Sequence, residues 1–316
     1  MSNIKECRKM IEVNNLTKKF NGKTVLNSIS FEVKEGEIFG YLCPNGAGKT
    51  TTMRIILGLL RPASGNALVM GKNLGNDEEL RKRVGVVLES DGLYDRLTAY
   101  DNLDYYAQLY DVHDRKERIR ELLEFVGLYE QGKEKVGKFS KGMKRKLSLV
   151  RSLIHEPDIL FFDEPSTGLD PEAQRMVRDL ILRLSKEEKR TVFLNSHDLD
   201  EVQRICTRIA ILQKGEIKAY DTVEILRKKF SKPVVEIALA DGEEAERASD
   251  IISSLDFVSD CERKNARITV ALQEKSPSAL LNTLIGEGIN VEELKKVDKS
   301  LEDVYLDIVR HEEREK

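Results

Sequence analysis

Cys43-Pro44-Asn45-Gly46-Ala47-Gly48-Lys49-Thr50-Thr51 organises the chain. An apolar run, Ile38-Phe39-Gly40-Tyr41-Leu42, precedes it and reads as a buried strand. Met53-Arg54-Ile55-Ile56-Leu57-Gly58-Leu59-Leu60 follows and reads as a helix. Strand, small-residue loop, then helix opening on Gly-Lys-Thr is the phosphate-loop arrangement. Small residues let successive backbone N–H groups face one concavity, and the helix N-terminus adds its positive end, so the concavity suits an anion. Lys49 reaches the β- and γ-phosphates of a nucleotide, and Thr50 offers its hydroxyl to Mg²⁺. The usual pattern is Gly-x-x-x-x-Gly-Lys-[Ser/Thr]; Cys43 stands in place of its first glycine.

Outward from the loop, buried strands alternate with helical segments. Val84-Gly85-Val86-Val87-Leu88, Ile159-Leu160-Phe161-Phe162 and Thr191-Val192-Phe193-Leu194 are continuous apolar runs, as expected of parallel strands buried on both faces. Pro171–Leu184 and Asp198–Cys206 read as the helices between and after them. Ile11–Leu16 and Thr24–Val33 read as earlier strands around the turn Asn21-Gly22. Phe20, just before that turn, could be core or a platform for a base; by itself it reads as core. From Thr98 to Phe139 strand-type runs vanish. Asp114 and Glu117 have capping-box spacing ahead of a stripe of Ile119, Leu122, Leu123 and Val126. Ser140 then caps a helix whose stripe is Met143, Leu147, Val150 and Ile154. The fold class expected is α/β, a mostly parallel sheet covered on both faces, with a helical insertion at about 90–155.

Ser231-Lys232-Pro233 marks a boundary, so the expected domains are 1–230 and 231–316. The second restarts with the order β, α, β, β, α, β and a final helix over Leu301–Glu313, which suggests a small ferredoxin-like α+β domain. It has no catalytic constellation, and its acids and lysines read as solvated faces.

Composition excludes several classes. Lys and Arg (52) nearly balance Asp and Glu (55) for a net charge of -3, which gives no electrostatic case for a nucleic-acid partner. Four scattered cysteines have neither disulfide nor zinc-ligand spacing. No apolar run approaches the ~20 residues that cross a bilayer, and the charged N-terminus is unlike a signal peptide, so any membrane role is expected to come through a partner.

Phe161-Phe162-Asp163-Glu164-Pro165 puts two carboxylates at the carboxyl end of a buried strand, the edge at which open α/β sheets bind ligands. Asp163 is placed to hold the Mg²⁺ shell, and Glu164 to polarise water for attack on the γ-phosphate. His197, in Asn195-Ser196-His197-Asp198, ends the neighbouring strand on the same edge and can face the same phosphate.

Together with these residues, Phe139-Ser140-Lys141-Gly142-Met143 resembles the signature sequence of ATP-binding cassette (ABC) proteins, and Thr167-Gly168-Leu169-Asp170 and His197 follow in the family's order. The resemblance covers about Ile11 to Leu226. Ser300-Leu301-Glu302-Asp303-Val304-Tyr305-Leu306 resembles, more weakly, the C-terminal extension of ATPase subunits from multidrug, bacitracin-resistance and sodium-efflux type exporters.

The resemblance implies ATP and Mg²⁺ as cofactors, with Phe20 stacked on adenine and Pro44, Asn45, Gly46, Ala47, Gly48, Lys49, Thr50 and Thr51 around the phosphates. Asp163 would be the magnesium aspartate, Glu164 the general base, and His197 a γ-phosphate contact. Ser140, Lys141 and Gly142 would face the γ-phosphate of ATP held by a second subunit, so that two nucleotides are sandwiched in a homodimer or in a pair with another ABC subunit. The insertion from Glu89 to Phe139 would touch a separate integral-membrane permease. The protein would be cytoplasmic and peripheral on the inner face of the cell membrane through that permease, with no nucleic-acid partner expected. Three departures qualify this. Cys43 could tighten the loop or make it oxidisable; Glu89 stands where the family usually has a glutamine beside Mg²⁺; and Lys141 could face the second subunit's phosphate or simply solvent. An ABC ATPase of an exporter is the leading reading. A soluble ABC ATPase acting on ribosomes or DNA is the alternative, weakened by the single cassette and the lack of a basic patch. A nucleotide-gated module without turnover is a third class, and Asp163, Glu164 and His197 argue against it.

Overall fold

Asn21 and Gly22 both take positive φ, 47° and 80°. That is the backbone a two-residue hairpin requires, and it joins β1 (Lys9–Phe20) to β2 (Lys23–Lys34). The computed structural model describes residues 8–43, 48–230, 234–273, 277–297 and 300–314. The chain divides into two units, Met1–Val223 and Glu224–Lys316.

In the first unit β3 (Ile38–Leu42), buried at every position, leads to α1 (Lys49–Ile56). This helix starts and stops earlier than the apolar run Met53–Leu60 predicts. Gly58 turns left-handed (φ +71°), and a Cβ there would stand 2.3 Å from the backbone nitrogen of Gly75, so helix cannot continue. Next come β4 (Ser64–Val69), α2 (Glu78–Arg81) and β5 (Val84–Val87). Three helices follow: α3 (Ala99–Leu109), α4 (Arg115–Phe125) and α5 (Lys141–Leu153). The capping box expected at α4 does not form. Asp114 is itself left-handed (φ 48°) with no side-chain cap bond, and Glu117 pairs with Arg120 instead. At α5 the cap is as expected, Ser140 Oγ accepting from Met143 N at 3.2 Å.

The chain then alternates through β6 (Ile159–Asp163), α6 (Pro171–Lys186), β7 (Thr191–Ser196), α7 (Leu199–Ile205), β8 (Arg208–Gln213) and β9 (Glu216–Thr222). The main sheet runs β5-β6-β7-β3-β8-β9, parallel except for β9 on the edge. A second, antiparallel sheet runs β2-β1-β4. An aromatic cluster lies at the core between them. The Phe193 ring lies 5.5–5.6 Å from those of Phe39, Tyr41 and Phe161, and the Phe31 ring stacks on Phe39 at 5.3 Å. Such offset pairs add about 0.5–1.5 kcal/mol each beyond burial. Gly40 sits in β3 because a Cβ would meet Cys206 Sγ at 2.9 Å and Val202 Cγ1 at 3.1 Å; its absence lets α7 lie close on the sheet. Because β3, β6 and β7 run parallel side by side, their carboxyl ends meet at one edge.

α8 (Val223–Phe230) spans the division between the units. The second unit comprises β10 (Val234–Leu239), α9 (Gly242–Ser253), β11 (Val258–Lys264), β12 (Arg267–Leu272), α10 (Pro277–Gly286), β13 (Val291–Val297) and α11 (Leu301–Arg314). Its sheet order is β11-β12-β10-β13, antiparallel throughout, the ferredoxin-like arrangement expected. The last strand is longer than the three residues Ile289–Val291 suggest. Lys295 and Lys296 lie within it, and β13 pairs with β10 along most of its length. Ser300 and Asp303 cap α11 reciprocally, Asp303 N donating to Ser300 Oγ at 3.1 Å and Ser300 N to Asp303 Oδ2 at 2.9 Å.

Candidate functional site

Four segments meet at the carboxyl edge of the parallel strands. The first is the start of α1. Gly48, at φ +112°, precedes it; a Cβ there would meet Leu26 Cδ2 at 2.7 Å, so only glycine fits. Thr52 is buried. Its Oγ1 donates to Gly48 O at 3.0 Å and lies 3.1 Å from Tyr41 OH, which pins the first turn to β3. The leading N–H groups of α1 have no intrahelical acceptor and point out of its N-terminal end.

The second segment is the end of β6. Asp163 is buried and accepts from Asn195 Nδ2 at 3.1 Å. Glu164 follows in left-handed conformation (φ 51°) and donates its N–H to Asn195 O at 2.9 Å. Non-glycine residues rarely take that conformation, and where they do the surroundings enforce it. The third segment is the end of β7, with His197. The fourth is the chain leaving β5, with Glu89.

A cleft of ≈ 380 Å³ opens between them, lined by Val25, Gly48, Lys49, Thr50, Thr51, Glu89, Asp163, Glu164, Thr167 and His197. Glu164 is its centre. Lys49 Nζ lies 2.6 Å from Glu164 Oε1, while His197 Nδ1 lies 2.7 Å and Thr167 Oγ1 3.1 Å from Oε2. Burial pushes the Glu164 carboxyl up, but the Lys49 ammonium and then His197 outweigh burial and hold it below the usual glutamate range. Asp163 goes the other way. Burial, with the Glu164 and Glu89 charges, outweighs its bond from Asn195 and the Lys49 charge and raises it.

Half of the residues expected of the site therefore stand on one cleft: Lys49, Thr50, Thr51, Gly48, Glu89, Asp163, Glu164 and His197. Pro44, Asn45, Gly46 and Ala47 lie outside the described residues. Phe20 stands apart from the lining. It is 43% exposed, which corrects the reading of it as core, and Lys18 Nζ sits 4.8 Å from its ring centroid. Ser140, Lys141 and Gly142 also stand off this cleft. The Lys141 ammonium lies against Gly168 of its own chain, close enough that a Cβ on that glycine would be 2.1 Å from it. The residue is exposed, as the solvent alternative expects. Cys43 is 3% exposed and burial pushes its thiol up to about 12, which removes the expectation of an oxidisable residue.

One residue escapes sequence reasoning altogether. Arg145, in α5, is buried and its guanidinium donates to five oxygens: Pro165 O (2.8 Å), Asp163 O (3.1 Å), Glu164 O (2.5 Å), Leu88 O (2.7 Å) and Asp91 Oδ1 (3.4 Å). In Lys144-Arg145-Lys146 it reads as one more solvated cation.

Thr50, Glu89 and Asp163 offer a hydroxyl and two carboxylates, the hard oxygen donors that Mg²⁺ takes. Among the described residues no three His, Cys, Asp or Glu side chains converge on one point. Mg²⁺ usually keeps waters and shares substrate phosphates with one or two carboxylates, and the donor set fits that use.

A lysine, a helix N-terminus and a polarising carboxylate on one cleft can bind a nucleoside triphosphate and activate water. Comparison with known proteins gives the same answer. The ABC transporter family model matches residues 26–167, and the C-terminal domain of DrrA1-3-like ATP-binding proteins matches 222–309. The bacitracin transport ATP-binding protein BcrA of Bacillus licheniformis is 35% identical over 302 residues, covering 95% of this chain and 97% of that one. The chain belongs to the ATP-binding subunits of ABC transporters.

The linearmycin resistance ATP-binding protein LnrL of Bacillus subtilis is 34% identical over 307 residues, covering 95% of this ABC subunit and 98% of that one. Among solved structures, a dimeric ATP-binding cassette in a post-hydrolysis state, bound to ADP and Pi, matches with a TM-score of 0.62 and 26% identity, covering 68% of this chain and 99% of that one. This ABC subunit binds and hydrolyses ATP. Among its described residues no helix is long and apolar enough to cross a membrane.

Proposed function

We propose that the chain is the ATPase of an exporter, working with Mg²⁺, and that it pairs with a second ABC subunit around two ATP molecules. The observation that carries the pairing is the position of Ser140 and Gly142 away from the cleft of their own chain. At α5, Ser140 Oγ accepts one bond, from Met143 N, and keeps its O–H as a donor. A phosphate bound by a facing subunit would meet that hydroxyl and the start of α5. In this reading Lys49 and the first turn of α1 take the phosphates, Thr50, Asp163 and Glu89 complete the Mg²⁺ shell, and Glu164 receives the proton of the attacking water. His197 holds the γ-phosphate, and Phe20 stacks on adenine.

ATP bound between two surfaces favours the closed dimer by its differential affinity; hydrolysis removes that bias. The relatives named for bacitracin transport and linearmycin resistance support export, with a separate permease in the membrane supplying the path. That would place the protein on the inner face of the membrane through its partner. The segment after β5 and helix α3 present Tyr94, Tyr105 and Leu109 as exposed apolar groups, a surface suited to that contact.

A pull-down tests this. Tagged Glu164→Gln protein with ATP, applied to detergent-solubilised host membranes and read by mass spectrometry, should recover one polytopic membrane protein. Ribosomal or DNA-bound proteins instead would favour the soluble alternative.

A further inference from the structure

We infer that Arg145 is a positioning residue for hydrolysis, tying the backbone that carries Glu164 to the segment that carries Glu89. This rests on the ATPase site proposed above and adds to it a residue that touches neither nucleotide nor water.

Asp163, Glu164 and Pro165 each give a carbonyl to the same guanidinium. Glu164 sits between two of these tethers in a left-handed backbone, and in that conformation its carboxylate meets Lys49 and His197. A guanidinium is a planar fork of five donors, and it spans several carbonyls as an ammonium cannot. The remaining donors go to Leu88 O and Asp91 Oδ1, on either side of Glu89. The α5 helix doubles this second tether, because Ser148 Oγ donates to Asp91 O at 2.9 Å and Arg151 Nη1 donates to the same oxygen at 2.9 Å. One side chain on α5 thus fixes both the proposed general base and the proposed Mg²⁺ ligand Glu89 relative to each other. A movement of residues 88–91 is transmitted through Arg145 to the peptide of Glu164.

The function assigned is geometric, so it acts on turnover rather than on nucleotide binding. The test compares wild type, Arg145→Lys, Glu89→Gln, their double variant and Glu164→Gln, with rates normalised to folded protein by circular dichroism. Arg145→Lys keeps the charge and loses the fork. Its kcat is expected to fall at least tenfold while KM for MgATP stays within about threefold. The double variant is expected to fall no further than the worse single one, since both act on one geometry. Asp91→Asn, which weakens the second tether and leaves the carbonyl bonds, is expected to lower kcat two- to fivefold at unchanged KM, and it decides the matter if Arg145→Lys does not fold. A kcat within twofold of wild type for the folded variants, a loss confined to KM, or additive effects of Arg145→Lys and Glu89→Gln would overturn the inference. Should Glu164→Gln itself turn over normally, the site reading fails instead, and the two failures are distinguishable.

Discussion

Lys49 Nζ and Glu164 Oε1 are 2.6 Å apart, and both side chains are nearly buried, 10% and 13% exposed. In the proposed site Lys49 serves the triphosphate and Glu164 the attacking water, so the two start paired with each other. In that reading ATP takes Lys49 from Glu164 and leaves an ionised carboxylate beside the γ-phosphate, so that binding and activation are two ends of one exchange. The depressed Glu164 carboxyl has the same origin, since Lys49 and His197 favour its charged form.

Phe20 stands exposed at the end of β1, where a base can stack on its ring without displacing core. An aromatic stack contributes about 0.5–1.5 kcal/mol. Phe20→Ala is therefore expected to raise KM for ATP by about two- to tenfold and to leave kcat within about twofold. Phe20→Tyr is expected to restore KM. Steady-state kinetics of the two variants checks it.

Cys43 carries the opposite expectation from an exposed loop thiol. Burial raises it to about 12, so its thiolate population near neutral pH is about a thousandfold below that of an ordinary cysteine. Cys261 is partly exposed. Iodoacetamide at neutral pH is expected to modify Cys261 well before Cys43, as peptide mass mapping over time would show. Similar rates at the two would mean that the end of β3 opens to solvent.

Glu201 is buried, accepting a hydrogen bond from Ser166 after β6 and another, at 3.4 Å, from Ser196 at the end of β7. Burial raises its carboxyl, with Asp198 and Glu164 adding repulsion, against the two hydroxyl bonds. A carboxyl raised on folding adds stability that is complete below the ordinary glutamate value, about 4.3, and is lost as pH rises through the folded value. Glu201→Gln has no such loss. The Tm of the variant relative to wild type is expected to increase between pH 4.5 and pH 7.5. A difference that stays flat or shrinks across that range would place the charge elsewhere.

Much of this was legible in the sequence, for reasons particular to each element. The runs ending at Leu42, Phe162 and Leu194 are apolar throughout because both faces of these strands are covered, the pattern expected of central parallel strands. With three strand ends fixed, Lys49, Asp163, Glu164 and His197 had to meet. What escaped was tertiary. Nothing local shows that Phe20 projects from the sheet, that Asp114 turns left-handed and cannot cap, or that Gly58 meets Gly75 and ends α1. Arg145 escaped because a buried cation and a solvated one share the same letter; only the fold brings five acceptors to it.

Phosphate release from wild type and Glu164→Gln, with ATP binding measured on the same preparations, decides whether Glu164 is the general base. A positioned general base contributes about 10²–10⁴-fold. The variant is expected to lose turnover on that scale while binding ATP at least as tightly as wild type, because Lys49 no longer has a carboxylate competing for it. Turnover within about threefold of wild type would mean that proton removal does not depend on Glu164.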